Sequence, residues 1–444
     1  MSGNRWSRTV GDRDETGAGT TRGRIALGTT IIGLSAFVLL ATWLVPWGPV
    51  PGGAPDPVPA DSVFSADQVQ RAEDYARWAR TWSWSSLAVS LAVACWLGFS
   101  QRGRRLTDRI PGKWWVRVVL VVGALEVIGR LATLPFAIAY RRLQLDAGLS
   151  TSSWPAWAFD LVKGEVVDVV VTSLAVLALV GIARRWPRAW PAIAGGVLAL
   201  FVVAGSFAYP LVVEPLFNSF VPLEEGPLRT QILELADRED VEVDEVLVAD
   251  ASRRTTTLNA YVSGFGGTRR VVVYDTLVED LSDQQALSVV AHELAHARND
   301  DVLVGTSLGA AGALLGAGLL GLLAGVAQRR GRAGVGEVAA VPMILALAAL
   351  AAVLASPVQN GISRQIETRA DVDALRATNA PQPFVALQRR LAIKSLADPT
   401  PPAWSQWWFG SHPTVLERIA IAQHASDGGP DSGPSNSPGS GPRR

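Results

Sequence analysis

Seven separate stretches of this chain are each long and apolar enough to cross a hydrocarbon layer of roughly 30 Å, and that confines the fold to a helical membrane bundle. They run over residues 25–45, 82–99, 114–138, 166–183, 190–209, 302–327 and 338–355. A segment that crosses lipid alone must satisfy its own backbone hydrogen bonds, which only a helix can do. Composition agrees: hydrophobic residues make up 49% of the 444 and charged residues 18%, against roughly 25% charged in soluble domains. The formal net charge of +0 carries no basic excess, so no nucleic-acid partner is expected, and the lipid bilayer is the first partner implied. Among the sixteen Trp, residues Trp82, Trp84, Trp114, Trp115, Trp186 and Trp190 flank apolar runs, where indole rings favour the membrane interface. Cys95 is the single cysteine, which rules out an intrachain disulfide. The first apolar stretch follows Arg22 and Arg24 but exceeds the 7–15 residues of a signal-peptide core. No small-x-small site follows it, so it reads as a retained anchor.

The chain divides by composition. Residues 1–24 are polar and rich in Gly, Thr and Arg, the pattern of a disordered tail, and residues 25–210 hold five spans and their loops. The longest polar region between spans is 211–301. Within it, Leu228, Ile232, Leu235 and Ala236 keep helical spacing, while 243–249 and 270–274 are β-branched and predict strands. Between these, Asn259, Ala260, Tyr261 and Val262 form a further strand, followed by Gly264, Gly266 and Gly267 in a turn. Residues 302–356 form a hairpin of spans six and seven. Residues 357–424 return to the polar side, and 425–444 is a Ser/Pro/Gly-rich tail expected to be disordered. The fold class is therefore mostly α: a polytopic membrane protein of about seven helices with a small α+β region at the membrane boundary.

Chemistry concentrates in His292-Glu293-Leu294-Ala295-His296. Positions four apart share one face of a helix, so both imidazoles can reach one metal ion. Glu293 then points at metal-bound water, the place of a general base in a zinc peptidase. Ser282, Asp283 and Gln285 mark the start of this helix, and Ala286, Leu287, Val289, Val290 and Leu294 supply its apolar face. A catalytic zinc needs a third protein ligand beside water. His412, His424 and carboxylates are candidates, and the best is Glu367 in a polar helix following span seven, on the side from which span six departs. Asp371, four positions later on the same face, suits an acceptor for the outer nitrogen of a ligand imidazole.

These residues resemble the type I CAAX prenyl proteases, integral-membrane zinc endopeptidases that pair His-Glu-x-x-His with a later Glu-x-x-x-Asp. Other segments carry the likeness from about Leu134 to Ile421: Leu134-Pro135-Phe136 with Tyr140, Glu214-Pro215-Leu216-Phe217-Asn218, Asn259-Ala260-Tyr261, Tyr274-Asp275-Thr276-Leu277, and His412-Pro413 with Arg418. The resemblance implies one Zn2+ per chain, held by His292, His296 and Glu367, with Glu293 as base. It implies that Asn259, Ala260, Tyr261 and Val262 form an edge strand pairing with an extended substrate, that His412 donates to the oxyanion and that Arg418 helps position the substrate. The implied activity is Glu-assisted hydrolysis of peptide bonds in prenylated CAAX-type or other membrane-associated proteins by a monomer. The alternatives are a silent membrane scaffold of the same fold, and a protease whose zinc helix is itself a span; Asp283, Arg298, Asp300 and Asp301 make that helix too polar for the second.

Charge also orients the chain. Arg5, Arg8, Arg13, Arg22 and Arg24 precede span one, Arg102, Arg104, Arg105, Arg109, Lys113 and Arg117 fill the second loop, Arg184, Arg185 and Arg188 the fourth, and Arg329, Arg330 and Arg332 the sixth. Lys and Arg in short loops stay on the cytoplasmic side, so the expected N terminus is cytoplasmic in the cell membrane and the zinc helix faces outward. The resemblance implies the opposite, a cytosol-facing site. Span three also carries Glu126 and Arg130 four apart, spaced for an ion pair or for lining a cavity.

Overall fold

The computed structural model describes residues 6–264 and 269–426, with side chains from Thr21 onward. Gly266, Gly267 and the tail from 427 lie outside the described residues. Among the described residues, seven helices are long and apolar enough to cross a membrane: Thr21–Leu44, Ala66–Phe99, Trp114–Asp146, Trp154–Arg185, Trp190–Phe217, Asp301–Arg329 and Val338–Thr378. All seven stretches read from hydropathy are among them. Two boundaries differ. The helix of span one runs Trp6–Leu44 where the sequence suggests a disordered tail through Arg24; residues 6–20 contain no proline, so a helix nucleated in the span can run back through them. Span seven and the helix bearing Glu367 are one element, Val341–Thr378 with Pro357 inside it, rather than a span followed by a separate polar helix.

Small residues bring the spans together. A side chain at Gly33 would meet the Leu315 backbone at 2.4 Å, and one at Gly318 would meet Thr30 at 2.5 Å. Spans one and six therefore touch backbone to backbone, the packing that lipid-embedded helices reach through glycine. Large apolar side chains such as Trp43, Leu131, Leu200 and Leu354 point outward and are more than half exposed, as a lipid-facing surface requires.

Arg130 finds its partner on a neighbouring span. Its Nε donates to Glu165 Oε2 at 2.6 Å on span four, while Glu126 turns to Thr172. Both acids lie within the reach of a long guanidinium stem, and the bond between spans prevails over the one along a single helix. It ties spans three and four together.

The polar region builds a four-stranded sheet of order β1-β2-β4-β3, from β1 (Phe220–Pro222), β2 (Glu245–Ala249), β3 (Ala260–Ser263) and β4 (Arg270–Tyr274). β2 and β4 are parallel, and β3 runs antiparallel to β4 with Tyr261 opposite Val272. β3 is thus an edge. The β-branched runs explain β2 and β4; β1 is three residues long and carries no alternation to announce it. Val271, Val273, Ile232, Leu235, Val290, Leu294 and Phe384 form the core between this sheet and the surrounding helices. The helix Asp283–Arg298 crosses that core and starts at Ser282, whose side chain and Gln285 form a capping box. It is not among the candidate spans, so the reading of a zinc helix buried in lipid does not apply.

Candidate metal centre

The His292 helix ends at a sharp corner. Asp300 adopts a left-handed conformation with φ 52°, which aspartate tolerates better than most residues, and the chain turns directly into span six. Two bonds hold the corner: Arg269 donates to Ala297 O at 3.1 Å, and Asn299 Nδ2 donates to Asp373 at 3.0 Å. The turn sets Asp301, first residue of span six, against the outer face of His296.

Three side chains converge. His292 Nε2 lies 3.2 Å from His296 Nε2 and 3.2 Å from Glu367 Oε2, and His296 Nε2 lies 3.8 Å from Glu367 Oε1. His292 and Glu367 stand 75 positions apart in sequence, and the hairpin of spans six and seven erases that separation. Four-coordinate zinc with bonds of about 2.0–2.2 Å requires ligand atoms roughly 3.3–3.6 Å from one another. The observed separations of 3.2, 3.2 and 3.8 Å bracket that spacing, so small side-chain adjustments bring the three groups to it.

The outer nitrogens decide the tautomers. His292 Nδ1 lies 2.9 Å from Asp371 Oδ1, and His296 Nδ1 lies 2.9 Å from Asp301 Oδ2. An Nδ1 that donates to a carboxylate leaves the neutral ring's Nε2 as an acceptor. Two lone pairs then face each other at 3.2 Å beside the Glu367 carboxylate, an arrangement that calls for a cation. Burial alone would lower the His292 pKa, but Asp371 and Glu367 outweigh it and raise it to about 9. The donor set fits a divalent ion of zinc's preferences, two imidazoles and one carboxylate.

Glu293 differs from these neighbours. Its carboxylate makes no hydrogen bond or ion pair with the described residues, and burial pushes its pKa up against the downward pull of His292 and His296. A buried carboxylate with a raised pKa and no hydrogen bond or ion pair has the character of a proton acceptor.

Each remaining candidate residue has a definite place. Asp371 is fully buried between His292 and Arg418. Arg418 is committed to that carboxylate, with Nη2 3.5 Å from His292 Nδ1, which places it behind the ligand imidazole. His412 reaches the opposite, open side, its Nε2 3.4 Å from Glu367 Oε1 and its side chain 60% exposed. The loop that carries it is held by Arg364, which donates to Gln406 O at 3.1 Å and to Gly410 O, and by Asn360, which donates to Trp408 O at 2.6 Å. Asn259 is exposed and Ala260 buried, with Tyr261 and Val262 between these extremes; β3 lies beside the His292 helix, and among the described residues no strand pairs with its outer edge.

Sequence reasoning missed Asp301 and Arg369. Asp301 pairs with His296 and is itself held by Arg369, so each of the two imidazoles has a carboxylate behind it and each carboxylate an arginine. Asp301→Asn is therefore expected to weaken metal binding by about 10–100-fold, the usual cost of losing such an acceptor, with the fold kept. Competition against a graded series of chelators measures it; unchanged affinity would show that Asp301 serves the corner alone.

Comparison with known proteins follows this geometry. Residues 222–426 match the model of peptidase family M48, and residues 54–219 match that of the CAAX prenyl protease N-terminal region with five membrane helices. A Bacillus subtilis relative, named Uncharacterized metalloprotease YhfN, is 30% identical over 74% of this chain and 78% of its own length. The chain belongs to peptidase family M48. Within that family the rice protein (Oryza sativa subsp. japonica) named CAAX prenyl protease 1 homolog is 28% identical over 67% of this chain and 71% of its own. The solved structure of S. mikatae Ste24p superposes with a TM-score of 0.72 at 18% identity, covering 91% of this chain and 99% of that one, so the fold is shared. This M48 member is a multi-pass membrane metallopeptidase, as its seven apolar helices and its family require.

Proposed function

We propose that the chain is a zinc endopeptidase that cuts membrane-associated or prenylated CAAX-type proteins, with His292, His296 and Glu367 as ligands. The observation that carries this reading is the convergence of two acceptor nitrogens and a carboxylate beside an unpartnered glutamate. Zinc, when bound, supplies a Lewis acid that polarises the scissile carbonyl and makes water a nucleophile near neutral pH. Glu293 takes the proton of the attacking water and delivers it to the leaving amine. His412 stands on the open side of Glu367, where a donor can meet the charge developing on the carbonyl oxygen. Arg418 acts through Asp371, holding the carboxylate that orients His292. The free edge of β3 offers backbone groups to an extended peptide, a grip that tolerates many side chains. The protein acts as a monomer in this reading.

Purified protein in detergent, incubated separately with a prenylated CAAX peptide and an unfolded membrane protein, tests the substrate, with products read by mass spectrometry. Cleavage of neither would overturn the proposal. Replacing Tyr261 by Ala is expected to raise KM several-fold, leaving zinc content intact, because its ring flanks the proposed peptide edge and touches no ligand. A change in metal content instead would assign Tyr261 to the metal site.

The cation-rich loops gather at the end of the bundle remote from the metal centre. Arg332 Nη2 donates to Phe99 O at 2.6 Å, joining loops six and two, and Arg184 donates to Gly336 O at 3.1 Å, joining four and six. The positive-inside tendency then sets this end in the cytoplasm of the cell and the metal centre outside. Cysteines placed at Arg330 and at Asp427 are expected to label from the cytoplasmic and external sides respectively. The reverse pattern would turn the molecule over.

A further inference from the structure

At the end of the bundle opposite the metal centre lies a cavity of about 380 Å³, where the corner after span two meets the loop between spans six and seven. Three guanidinium groups line it, Arg104, Arg330 and Arg332, together with Ser100 and Gln101 at the start of the helix Gln101–Arg109; Met343 from span seven adds an apolar side chain to the lining. No acidic side chain lines it among the described residues. The nearest opposing charge to Arg104 is Asp108, at 4.0 Å, while Arg332 spends one nitrogen on Phe99 O.

The sequence builds this cavity deliberately close. A side chain at Gly98 would meet Ala346 at 2.5 Å and Pro342 O at 2.8 Å, and one at Gly103 would meet Pro342 at 3.1 Å. The corner between the two helices can therefore seat itself on the first turn of span seven. Arg330 and Arg332 of loop six line the same cavity.

We infer that this cavity binds the phosphodiester headgroup of an anionic membrane lipid. Its volume falls within the range of small-ligand pockets. Guanidinium groups match phosphate oxygens geometrically. Pro342 and Met343 give part of the lining an apolar character that suits a glycerol and the first methylenes of an acyl chain, and the cavity sits where spans two and six end and span seven begins, the level at which spanning helices meet headgroups. Basic pockets between spans at such an end hold acidic headgroups. The inference stands apart from the proteolytic reading, since it uses none of the residues around His292.

The test uses the intact protein in detergent, with lipid binding read by native mass spectrometry. Dioleoylphosphatidylglycerol and dioleoylphosphatidylcholine are offered in competition, with inorganic phosphate as a separate arm. The wild type is expected to retain phosphatidylglycerol preferentially, and the double change Arg104→Ala with Arg330→Ala to weaken that retention roughly tenfold or more. The double change Arg185→Ala with Arg188→Ala removes the same charge from the same end of the bundle and is expected to leave it intact. The Lys version of the Arg104/Arg330 pair should restore part of the preference, which distinguishes a lost site from a damaged fold. Equal losses in the two Ala pairs would reduce the effect to general surface charge and overturn the inference. So would an absence of lipid preference in the wild type, or millimolar inorganic phosphate stabilising the protein as well as the lipid does, which would identify a free anion as the ligand.

Discussion

Glu293→Gln is expected to lower turnover by roughly 10²–10⁴-fold, the span typical of a general base, while the purified protein keeps its full zinc content. The separation follows from where the carboxylate stands. Glu293 belongs to none of the pairs that hold the ligands, and His292, His296 and Glu367 form the converging set without it. The amide keeps the size of the side chain and removes a buried charge, so thermal stability should hold or rise slightly. Metal analysis beside a cleavage assay decides the matter. Zinc loss in parallel with activity would falsify the division of labour.

Glu367→Ala is expected to remove zinc and activity together. The loss of affinity should exceed the roughly 10–100-fold that an outer acceptor carries, because a direct donor is gone. The same result is expected of His292→Ala and His296→Ala. Glu367 is also the group beside which His412 rests, so the variant loosens the open side of the site as well. A Glu367→Ala protein that retained full zinc and full cleavage would make the third-ligand assignment wrong and return the choice to His412 or His424.

The two experiments test what the sequence made legible. His292, Glu293 and His296 could be read because a helix imposes their geometry over five residues, and Ser282 with Gln285 marked where that helix begins. Glu367 could be found because the hairpin of spans fixes which end of span seven returns to the metal side. Asp371 followed from the helical repeat, four positions on. Asp301 escaped because an aspartate opening a span looks like an ordinary helix-start acid; only the left-handed turn at Asp300 aims it at His296. The partner of Arg130 escaped for a similar reason. Spacing along one helix offered Glu126, and the packing of two helices chose Glu165. Arg364 was equally hidden, since its hold on the loop before His412 runs between helices that nothing local connects. Periodicity reports what one element does with its own faces; it is silent on which neighbour a long side chain will reach.

The placement of Glu367 at the far end of span seven has a consequence for the order in which this protein becomes dangerous. Its three converging groups sit on either side of a transmembrane hairpin, two before it and one after. As the chain is threaded into the bilayer, His292 and His296 precede the hairpin, and the carboxylate that joins them follows it. A ribosome-bound or half-inserted molecule therefore carries an incomplete blade. With Glu367 as third ligand, the site is complete only once the last span has crossed, so insertion of the hairpin and completion of the converging set are one event.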